Sequence, residues 1–296
     1  MAATLLDGAA LARHINSELK QRVTELSRRG LQPGLAAVQL GDNPAARIYV
    51  RNKVRVCAEV GLYSEVHRLD ADCPEHVLLA ALDKLNRNPR IHGIIVQLPL
   101  PAHLDSARIV QSISVDKDVD GFNWRNLGAL IDGHPLFTPC TPLGVMVLLD
   151  RAGIPLEGQH AVVVGRSGIV GKPMALLLIA RGATVSVCNS KTPDLAHFTR
   201  QADVLIVAAG KPRLIGADMV KPGAAVIDVG TNRLPGGRLA GDVDFEGVLK
   251  KAAYLTPVPG GVGPMTVAML VANTVAAAER FAAEQFAVPA HSAAAN

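Results

Sequence analysis

The chain has 296 residues, of which 49% are hydrophobic and 3% aromatic, and its 30 basic and 26 acidic side chains leave a net charge of +4. This length suffices for about two domains, each with its own buried core. The weak positive charge, with no block of lysine and arginine interleaved with aromatic residues, argues against a nucleic-acid partner and favours small anionic ligands.

The cysteine pattern and the N-terminal residues bear on the compartment. The four cysteines, at positions 57, 73, 140 and 188, form no C-x-x-C pair, which indicates a reducing environment. The N-terminal segment predicts an amphipathic helix rather than a targeting peptide. The longest apolar stretch, Met265 to Ala278, is interrupted by Asn273 and Thr274 and is too short to span a bilayer. We therefore expect a soluble, cytoplasmic protein with no membrane partner.

The first half of the chain alternates helical and strand patterns. From Leu11 to Leu26 apolar residues recur every three or four positions, and Gly30 then stops the helix. Pro99 and Pro101 end the last apolar run, because proline cannot donate to a sheet ladder. The predicted elements are a helix over 11–26, a strand over 35–40, a helix from Pro44 to about Val60, a helix after Pro74 and a strand over 91–98.

The second half alternates short apolar strands with helices, which predicts a parallel sheet with covered faces. One helix runs from Thr141 to about Ala152, the last helix follows Pro264, and we expect the polar tail Ala287–Asn296 to fray. Strands are predicted at 160–165, 183–188, 203–208 and 224–229.

We therefore predict an α/β protein with two α/β lobes flanking a cleft. Residues 1–139 together with 264–296 form the first lobe, and residues 140–263 form the second, a Rossmann-like parallel sheet.

A strand–loop–helix–strand pattern over Ala161–Ser190 predicts a dinucleotide site. The strand leads directly into Gly165, and further glycines at 168 and 171 open a helix. Glycine permits the tight turn and lets backbone N–H groups approach a pyrophosphate at the helix N-terminus. The spacing is G-x-x-G-x-x-G rather than G-x-G-x-x-G, and a turn that needs glycine only for packing is the alternative.

The end of the next strand distinguishes between the two nicotinamide cofactors. NAD sites of this type carry an Asp or Glu there, which accepts a hydrogen bond from the ribose 2′-hydroxyl. Here the strand ends in Asn189-Ser190-Lys191, and Arg166 lies in the glycine loop. A cation and a hydroxyl without a carboxylate suit a 2′-phosphate, so we predict NADP.

The first lobe offers candidates for the chemistry. Tyr49 and Lys53 are four residues apart, so on a helix they share one face and combine a stacking ring with a proton-transfer group. Gln97 stands at the carboxyl end of the buried strand, where ligands gather in open α/β sheets. A surface lysine beside a half-buried tyrosine, and a glutamine that only caps the strand, are the alternatives.

Two further segments are unusual. In the charged turn Lys117–Phe122, Asp120 could accept two hydrogen bonds from an amino-heterocycle, and an Asx turn before Gly121 is the alternative. The stiff, glycine-rich segment Pro257–Pro264 would bring its backbone close to a flat ligand. The nine histidines show no ligand-like spacing, and we predict no metal.

Six motifs occur together and in order: YVRNK at 49–53, VQLPLP at 96–101, DKDVDGF at 116–122, PCTP at 139–142, GRSGIVGKP at 165–173 and PGGVGPMT at 259–266. With these motifs the chain resembles the bifunctional methylenetetrahydrofolate dehydrogenase/methenyltetrahydrofolate cyclohydrolase family over about residues 3–285. The resemblance implies NADP-dependent oxidation of 5,10-methylenetetrahydrofolate and hydrolysis of the product to 10-formyltetrahydrofolate. It also implies a homodimer joined through the nucleotide lobes, and tetrahydrofolate derivatives, polyglutamylated forms included, as partners.

The resemblance also implies a role for each candidate residue. Lys53 would be the catalytic lysine, with Tyr49 stacking on the folate, Gln97 hydrogen-bonded to the lysine and Asp120 holding the pterin. The folate site would further include Leu98, Val258, Pro259, Gly260 and Gly261. NADP contacts would come from Gly165, Arg166, Ser167, Ile169, Val170, Ser190, Thr231 and Thr266.

The chain departs from the family pattern at two positions: Asn189 stands where many members carry histidine, and Ala46 where serine is common. Three other functions are alternatives to the bifunctional enzyme. A monofunctional NAD(P)-dependent methylenetetrahydrofolate dehydrogenase would share both lobes. A dehydrogenase of a shikimate-like acid would not explain PGGVGPMT, and a non-catalytic nucleotide-binding protein would not need Lys53, Gln97 and Asp120 together.

Overall fold

The computed structural model describes residues 2–286, so the predicted frayed tail lies outside the described residues. The chain divides into two compact units. Unit 1 comprises Met1–Ile15 with Trp124–Met269, and unit 2 comprises Asn16–Asn123 with Leu270–Asn296. The predicted domains divide the chain by function, into residues 1–139 with 264–296 for folate and residues 140–263 for the nucleotide. That functional division stays a prediction.

Helices and short strands alternate along the whole described chain, and two short 3₁₀ turns lie at Val115–Lys117 and Ala217–Met219. The helices are α1 (Gly8–Arg28), α2 (Pro44–Val60), α3 (Glu75–Arg87), α4 (Ser106–Gln111), α5 (Trp124–Ile131), α6 (Cys140–Arg151), α7 (Gly171–Ala180), α8 (Leu195–Thr199), α9 (Phe245–Leu249) and α10 (Val262–Phe286). The strands are β1 (Thr4–Leu5), β2 (Gly34–Leu40), β3 (Tyr63–Leu69), β4 (Gly93–Val96), β5 (His160–Val164), β6 (Thr184–Cys188), β7 (Val204–Val207), β8 (Ala225–Asp228), β9 (Asn232–Arg233), β10 (Leu239–Ala240) and β11 (Tyr254–Leu255).

Unit 1 is built on a six-stranded sheet with the order β1-β11-β8-β7-β5-β6, in which every pair of neighbours is parallel. The central strands β7 and β8 are buried along their whole length, which explains why they consist of short apolar runs. The order reverses between β5 and β7, because β6 lies on one side of β5 and β7 on the other. The predicted α/β class with a Rossmann-like parallel sheet is therefore confirmed.

Unit 2 contains a parallel three-stranded sheet with the order β3-β2-β4. Its core includes Leu78, Leu82 and Leu85, the inward face of α3, packed with the apolar residues of β2 and β4. The C-terminal part of α10 belongs to this unit, where the Asn273 side-chain amide donates a 2.8 Å hydrogen bond to the carbonyl of Val119. The sequence did not predict β3, nor the short strands β1, β9, β10 and β11.

One helix among the described residues is long and apolar enough to cross a membrane by length and composition alone. It is α10, with the relevant stretch at Val262–Gln285, and 61% of the most apolar window is buried inside the protein. That degree of burial is typical of a core helix, which accounts for its apolar composition.

Candidate active site

The first cluster of predicted site residues lies in unit 2, at the carboxyl end of its sheet. Tyr49 and Lys53 stand one turn apart on α2, and Gln97 directly follows β4. The Lys53 ammonium Nζ donates a 3.3 Å hydrogen bond to Gln97 Oε1. The Gln97 amide Nε2 donates to the Leu98 carbonyl at 2.8 Å, so the amide oxygen is held towards the lysine. The structure therefore brings Lys53 and Gln97 into direct contact, as expected, while their catalytic roles stay predictions.

Asp120 belongs to the same cluster electrostatically. Burial raises the pKa of its carboxyl above the ordinary value, and the positive charge of Lys53 acts in the opposite direction.

Tyr49 is 44% exposed, which leaves much of its ring open to a ligand. Cys57, one turn beyond Lys53, is fully buried, and burial raises the pKa of its thiol to about 12. That thiol is a packing group rather than a nucleophile.

Asp118 in the 116–122 turn has a structural task. The buried carboxylate of Asp118 accepts hydrogen bonds from the backbone N–H groups of Phe122, at 3.2 Å, and Asn123, at 2.7 Å. The Asp118 carbonyl also accepts from the N–H of Gly121, at 2.9 Å. Asp118 thus closes the turn, the task considered above as the alternative for Asp120.

The glycine loop after β5 lies in unit 1, at the reversal of the strand order. Gly165 has a φ of 128°, and a Cβ added to it would overlap the carbonyl oxygen of Ala208 in the loop after β7. A Cβ on Gly171 would overlap the carbonyl of Gly165, whereas one on Gly168 would meet no atom within 4 Å. The first and third glycines therefore serve close packing, and the second leaves open space beside the N-terminus of α7. This geometry suits a dinucleotide pyrophosphate.

The remaining predicted NADP residues take different positions in unit 1. Arg166, Ser167 and Ile169 are exposed, and Val170 is half-buried. The Ser167 hydroxyl accepts hydrogen bonds from the N–H groups of Val170, at 3.2 Å, and Gly171, at 3.4 Å, just before α7. These bonds stabilise the loop conformation.

Three more of these residues follow strands or begin a helix. Ser190 is exposed just after β6, and Thr231 is exposed after β8. Thr266, in the first turns of α10, shares a 2.9 Å hydroxyl–hydroxyl hydrogen bond with Thr141 of α6.

The predicted folate loop, Val258–Gly261, belongs to unit 1, whereas Lys53, Gln97 and Asp120 belong to unit 2. The loop is fixed to the start of α1. The N–H of Ala9 donates a 2.8 Å hydrogen bond to the carbonyl of Gly260, and a Cβ on Gly8 would overlap the carbonyl of Gly261.

Sequence reasoning missed a pair of buried acids in unit 1, Asp228 and Asp242. Asp228 ends the apolar run of β8. An acid at the carboxyl end of a parallel strand, where ligands gather, could have identified it as a candidate site residue. Among residues 2–286, no group of three or more His, Cys, Asp or Glu side chains is arranged to hold a metal ion.

Comparison with known proteins gives consistent matches over both halves of the chain. Residues 6–120 match the tetrahydrofolate dehydrogenase/cyclohydrolase catalytic domain, and residues 139–282 match the NAD(P)-binding domain of the same family. The bifunctional protein FolD of Nitrosospira multiformis is 59% identical over 280 residues, which cover 95% of this chain and 97% of that protein.

Solved structures agree. The bifunctional FolD enzyme of Campylobacter jejuni is 52% identical with a TM-score of 0.93, covering 94% of this chain and 99% of its own. The methylenetetrahydrofolate dehydrogenase-cyclohydrolase of Trypanosoma brucei, solved with NADP and an inhibitor, is 41% identical with a TM-score of 0.92, covering 95% and 98%.

Proposed function

This chain belongs to the tetrahydrofolate dehydrogenase/cyclohydrolase family, and we propose that Lys53, Gln97 and Asp120 are the residues with which it acts on its folate substrate. The enzyme oxidises 5,10-methylenetetrahydrofolate to 5,10-methenyltetrahydrofolate with NADP, and it hydrolyses that product to 10-formyltetrahydrofolate. It is thus both an oxidoreductase and a hydrolase of one-carbon metabolism.

The two reactions make different demands on the protein. When bound, NADP supplies the hydride acceptor. Oxidation of the methylene bridge leaves a cation shared by two folate nitrogens, and no proton has to be transferred. For this step the protein must align the folate with the cofactor, which is a proximity effect. Tyr49 would stack on the folate, and Asp120 would hold the pterin ring through its carboxylate.

Hydrolysis of the methenyl cation requires an activated water and a proton for the departing nitrogen. Lys53 is the group assigned to this proton transfer. The 3.3 Å contact between Lys53 Nζ and Gln97 Oε1 is the observation that supports the assignment most directly, since it orients the amine from the end of β4. Gln97 is therefore a positioning residue for Lys53.

The remaining roles divide between the two units. Arg166 and Ser190 would bind the 2′-phosphate, and Thr231 and Thr266 would contact NADP further along unit 1. In unit 1 the loop at residues 258–261 is a proposed folate contact, and in unit 2 Leu98 is another. The open space at Gly168 and the N-terminus of α7 support a pyrophosphate subsite there. We assign NADP binding mainly to residues 140–263 and folate binding mainly to residues 1–139 with 264–296, with residues 258–261 and Thr266 as the exceptions.

An assay of the purified protein tests this function. Given 5,10-methylenetetrahydrofolate and NADP, the enzyme should form NADPH, then the methenyl product and then 10-formyltetrahydrofolate, with lower rates when NAD replaces NADP. Accumulation of the methenyl product with no enzymatic hydrolysis would instead identify a monofunctional dehydrogenase.

A homodimer joined through unit 1 is the proposed assembly. β6 is an edge strand, since its ladder partner on one side is β5 and it ends the sheet order. Val187 on this strand is 44% exposed, and Ile179 on the neighbouring α7 is 56% exposed. An edge strand flanked by apolar side chains is a ready surface for a second copy of the chain. Sedimentation equilibrium should give the mass of a dimer, and a monomer mass at micromolar concentrations would contradict the assembly.

The net charge of +4 favours polyglutamylated folates as substrates, and these should then show a lower KM than the monoglutamate.

The proposed localisation is the cytoplasm. The four buried, free cysteines fit its reducing environment, and cell fractionation tests this localisation.

A further inference from the structure

Two buried carboxylates at the carboxyl end of the sheet in unit 1 have no part in the chemistry described above. Asp228 is 4% exposed and Asp242 is fully buried. Asp228 Oδ1 accepts hydrogen bonds from the backbone N–H groups of Gly230 and Asp242, each at 2.9 Å, and its Oδ2 accepts from the N–H of Val243 at 3.0 Å. Asp228 therefore holds the backbone at residue 242 in place.

Asp242 in turn connects two segments that leave neighbouring strands. Its Oδ2 accepts from the N–H groups of Ala209, at 2.7 Å, and Gly210, at 2.8 Å, in the loop after β7. Its Oδ1 accepts from the side-chain amide of Asn232, at 2.7 Å, in the segment after β8. We call Asp228, Asp242 and Asn232 the acidic network.

The surrounding glycines make room for these carboxylates. A Cβ on Gly230 would overlap the carboxylate of Asp242, and a Cβ on Gly241 would overlap the carboxylate of Asp228. Neither glycine has a positive φ, so the need for glycine here is close approach and not backbone conformation.

The acidic network is connected to the glycine loop through the loop after β7. In the loop after β7, the carbonyl of Ala208 packs against Gly165. The N–H groups of Ala209 and Gly210 in the same loop donate hydrogen bonds to Asp242. The glycine loop and residues 208–210, which lie at the reversal of the strand order, are thereby tied to residues 229–232, which follow β8. Dinucleotides bind at this reversal in open parallel sheets.

Burying two neighbouring acids costs free energy. Burial raises the pKa of Asp228 to about 6, the charge of Asp242 acts in the same direction, and the three N–H donors act against both. Acids in such environments concentrate at functional sites.

We propose that Asp242, supported by Asp228, is a positioning residue for NADP, which it serves by holding residues 229–232, with Thr231 among them, against the loop after β7. This inference deepens the proposed function and rests on its assignment of Thr231 to the cofactor. It concerns oxidation only, because the hydrolysis of the methenyl substrate consumes no NADP.

The test is a double-mutant cycle on the pair Asp242 and Asn232. Both carboxylate oxygens of Asp242 accept hydrogen bonds, so in Asp242→Asn the new NH₂ group faces either the amide of Asn232 or the N–H groups of Ala209 and Gly210. In Asn232→Asp, a second carboxylate faces that of Asp242. Each single change should raise the KM for NADP about tenfold, the scale of a lost hydrogen bond to a buried charged group. The double variant Asn232→Asp/Asp242→Asn restores the hydrogen bond between these two side chains with its donor and acceptor exchanged, and it loses only the longer 3.3 Å bond from Asn232 to the Ala240 carbonyl. It should recover most of the affinity for NADP.

Cyclohydrolase activity, measured from methenyltetrahydrofolate without NADP, and the KM for folate should stay within about twofold of the unchanged enzyme in all three variants. Asp203→Asn is the matched control. Asp203 lies in the same sheet at the amino end of β7, where it accepts from the N–H of His160 at 3.0 Å and pairs with Lys221. That change should alter the thermal unfolding temperature without altering the KM for NADP.

The outcomes are separable. An unchanged KM for NADP in Asp242→Asn, with oxidation intact, rejects this inference and leaves the proposed function standing. Parallel loss of both activities and of thermal stability, without recovery in the double variant, also rejects it, because a purely structural role would give that pattern. Absence of NADP-dependent oxidation in the unchanged enzyme would reject the proposed function itself.

Discussion

Replacing Lys53 with methionine is expected to lower cyclohydrolase turnover by about 10²–10⁴-fold, the usual contribution of a general acid–base group, while dehydrogenase turnover stays measurable. Hydrolysis needs a proton carried between water and the folate nitrogen, whereas hydride transfer needs only alignment. Methionine retains the apolar stem of lysine as far as Cε and lacks only the ammonium group, so we expect the packing of α2 to be retained. Each reaction should be assayed from its own substrate, methenyltetrahydrofolate for hydrolysis and methylenetetrahydrofolate with NADP for oxidation.

Lys84→Met is a matched control for this change, because Lys84 is an exposed lysine of α3 in the same unit. It should leave both activities unaltered. Equal loss of the two activities in a folded Lys53→Met enzyme that still binds folate would contradict the assignment of proton transfer to Lys53.

Asp120→Asn should raise the KM for folate about tenfold or more, since it replaces a charged acceptor with a neutral one that also presents a donor. The KM for NADP should not change. Steady-state kinetics with each substrate varied in turn, together with a direct titration of folate binding, separates these two effects.

Asp118→Asn supplies the contrast for this prediction. Asp118 accepts the N–H groups of Phe122 and Asn123, so its replacement should lower the thermal unfolding temperature, which Asp120→Asn should leave nearly constant. A folate affinity that is the same in Asp120→Asn and the unchanged enzyme would reject the role of Asp120 in holding the pterin.

The elements predicted best from the sequence are those whose pattern has a single physical cause. β5, β7 and β8 are short apolar runs because both faces of the parallel sheet are covered. The amphipathic face of α3 was equally clear. Gly165 and Gly171 were identified as a ligand loop, and the structure adds that each glycine is required by a close backbone approach.

β3 escaped prediction because it is an edge strand with a polar, partly exposed surface. Six of its seven residues are half-buried, and none is fully buried. The Tyr63 hydroxyl donates a 2.7 Å hydrogen bond to Glu65, and His67 contacts Glu65 at 2.8 Å. Such side chains stabilise one another across alternate positions of a strand without producing an apolar periodicity.

The acidic network escaped prediction for a different reason. Most partners of Asp228 and Asp242 are backbone N–H groups, which carry no residue-type signal. By contrast, Lys53 and Gln97 interact through side chains, and their polar types and their places on a helix and at a strand end identified both as candidates. Sequence patterns therefore reveal pairs of side chains more readily than they reveal side chains that organise loops.

The pairing of β1 with β11 gives the assembly of unit 1 an order in time. Thr4 pairs with Tyr254 and Leu5 with Leu255, and the N–H groups of Ala3 and Leu6 donate to the carbonyls of Leu249 and Leu255. β11, the partner of β1, follows it by roughly 250 residues, and the entropic cost of closing so long a loop rises only logarithmically with its length. This edge of the sheet in unit 1 can thus form only after β11 has been synthesised.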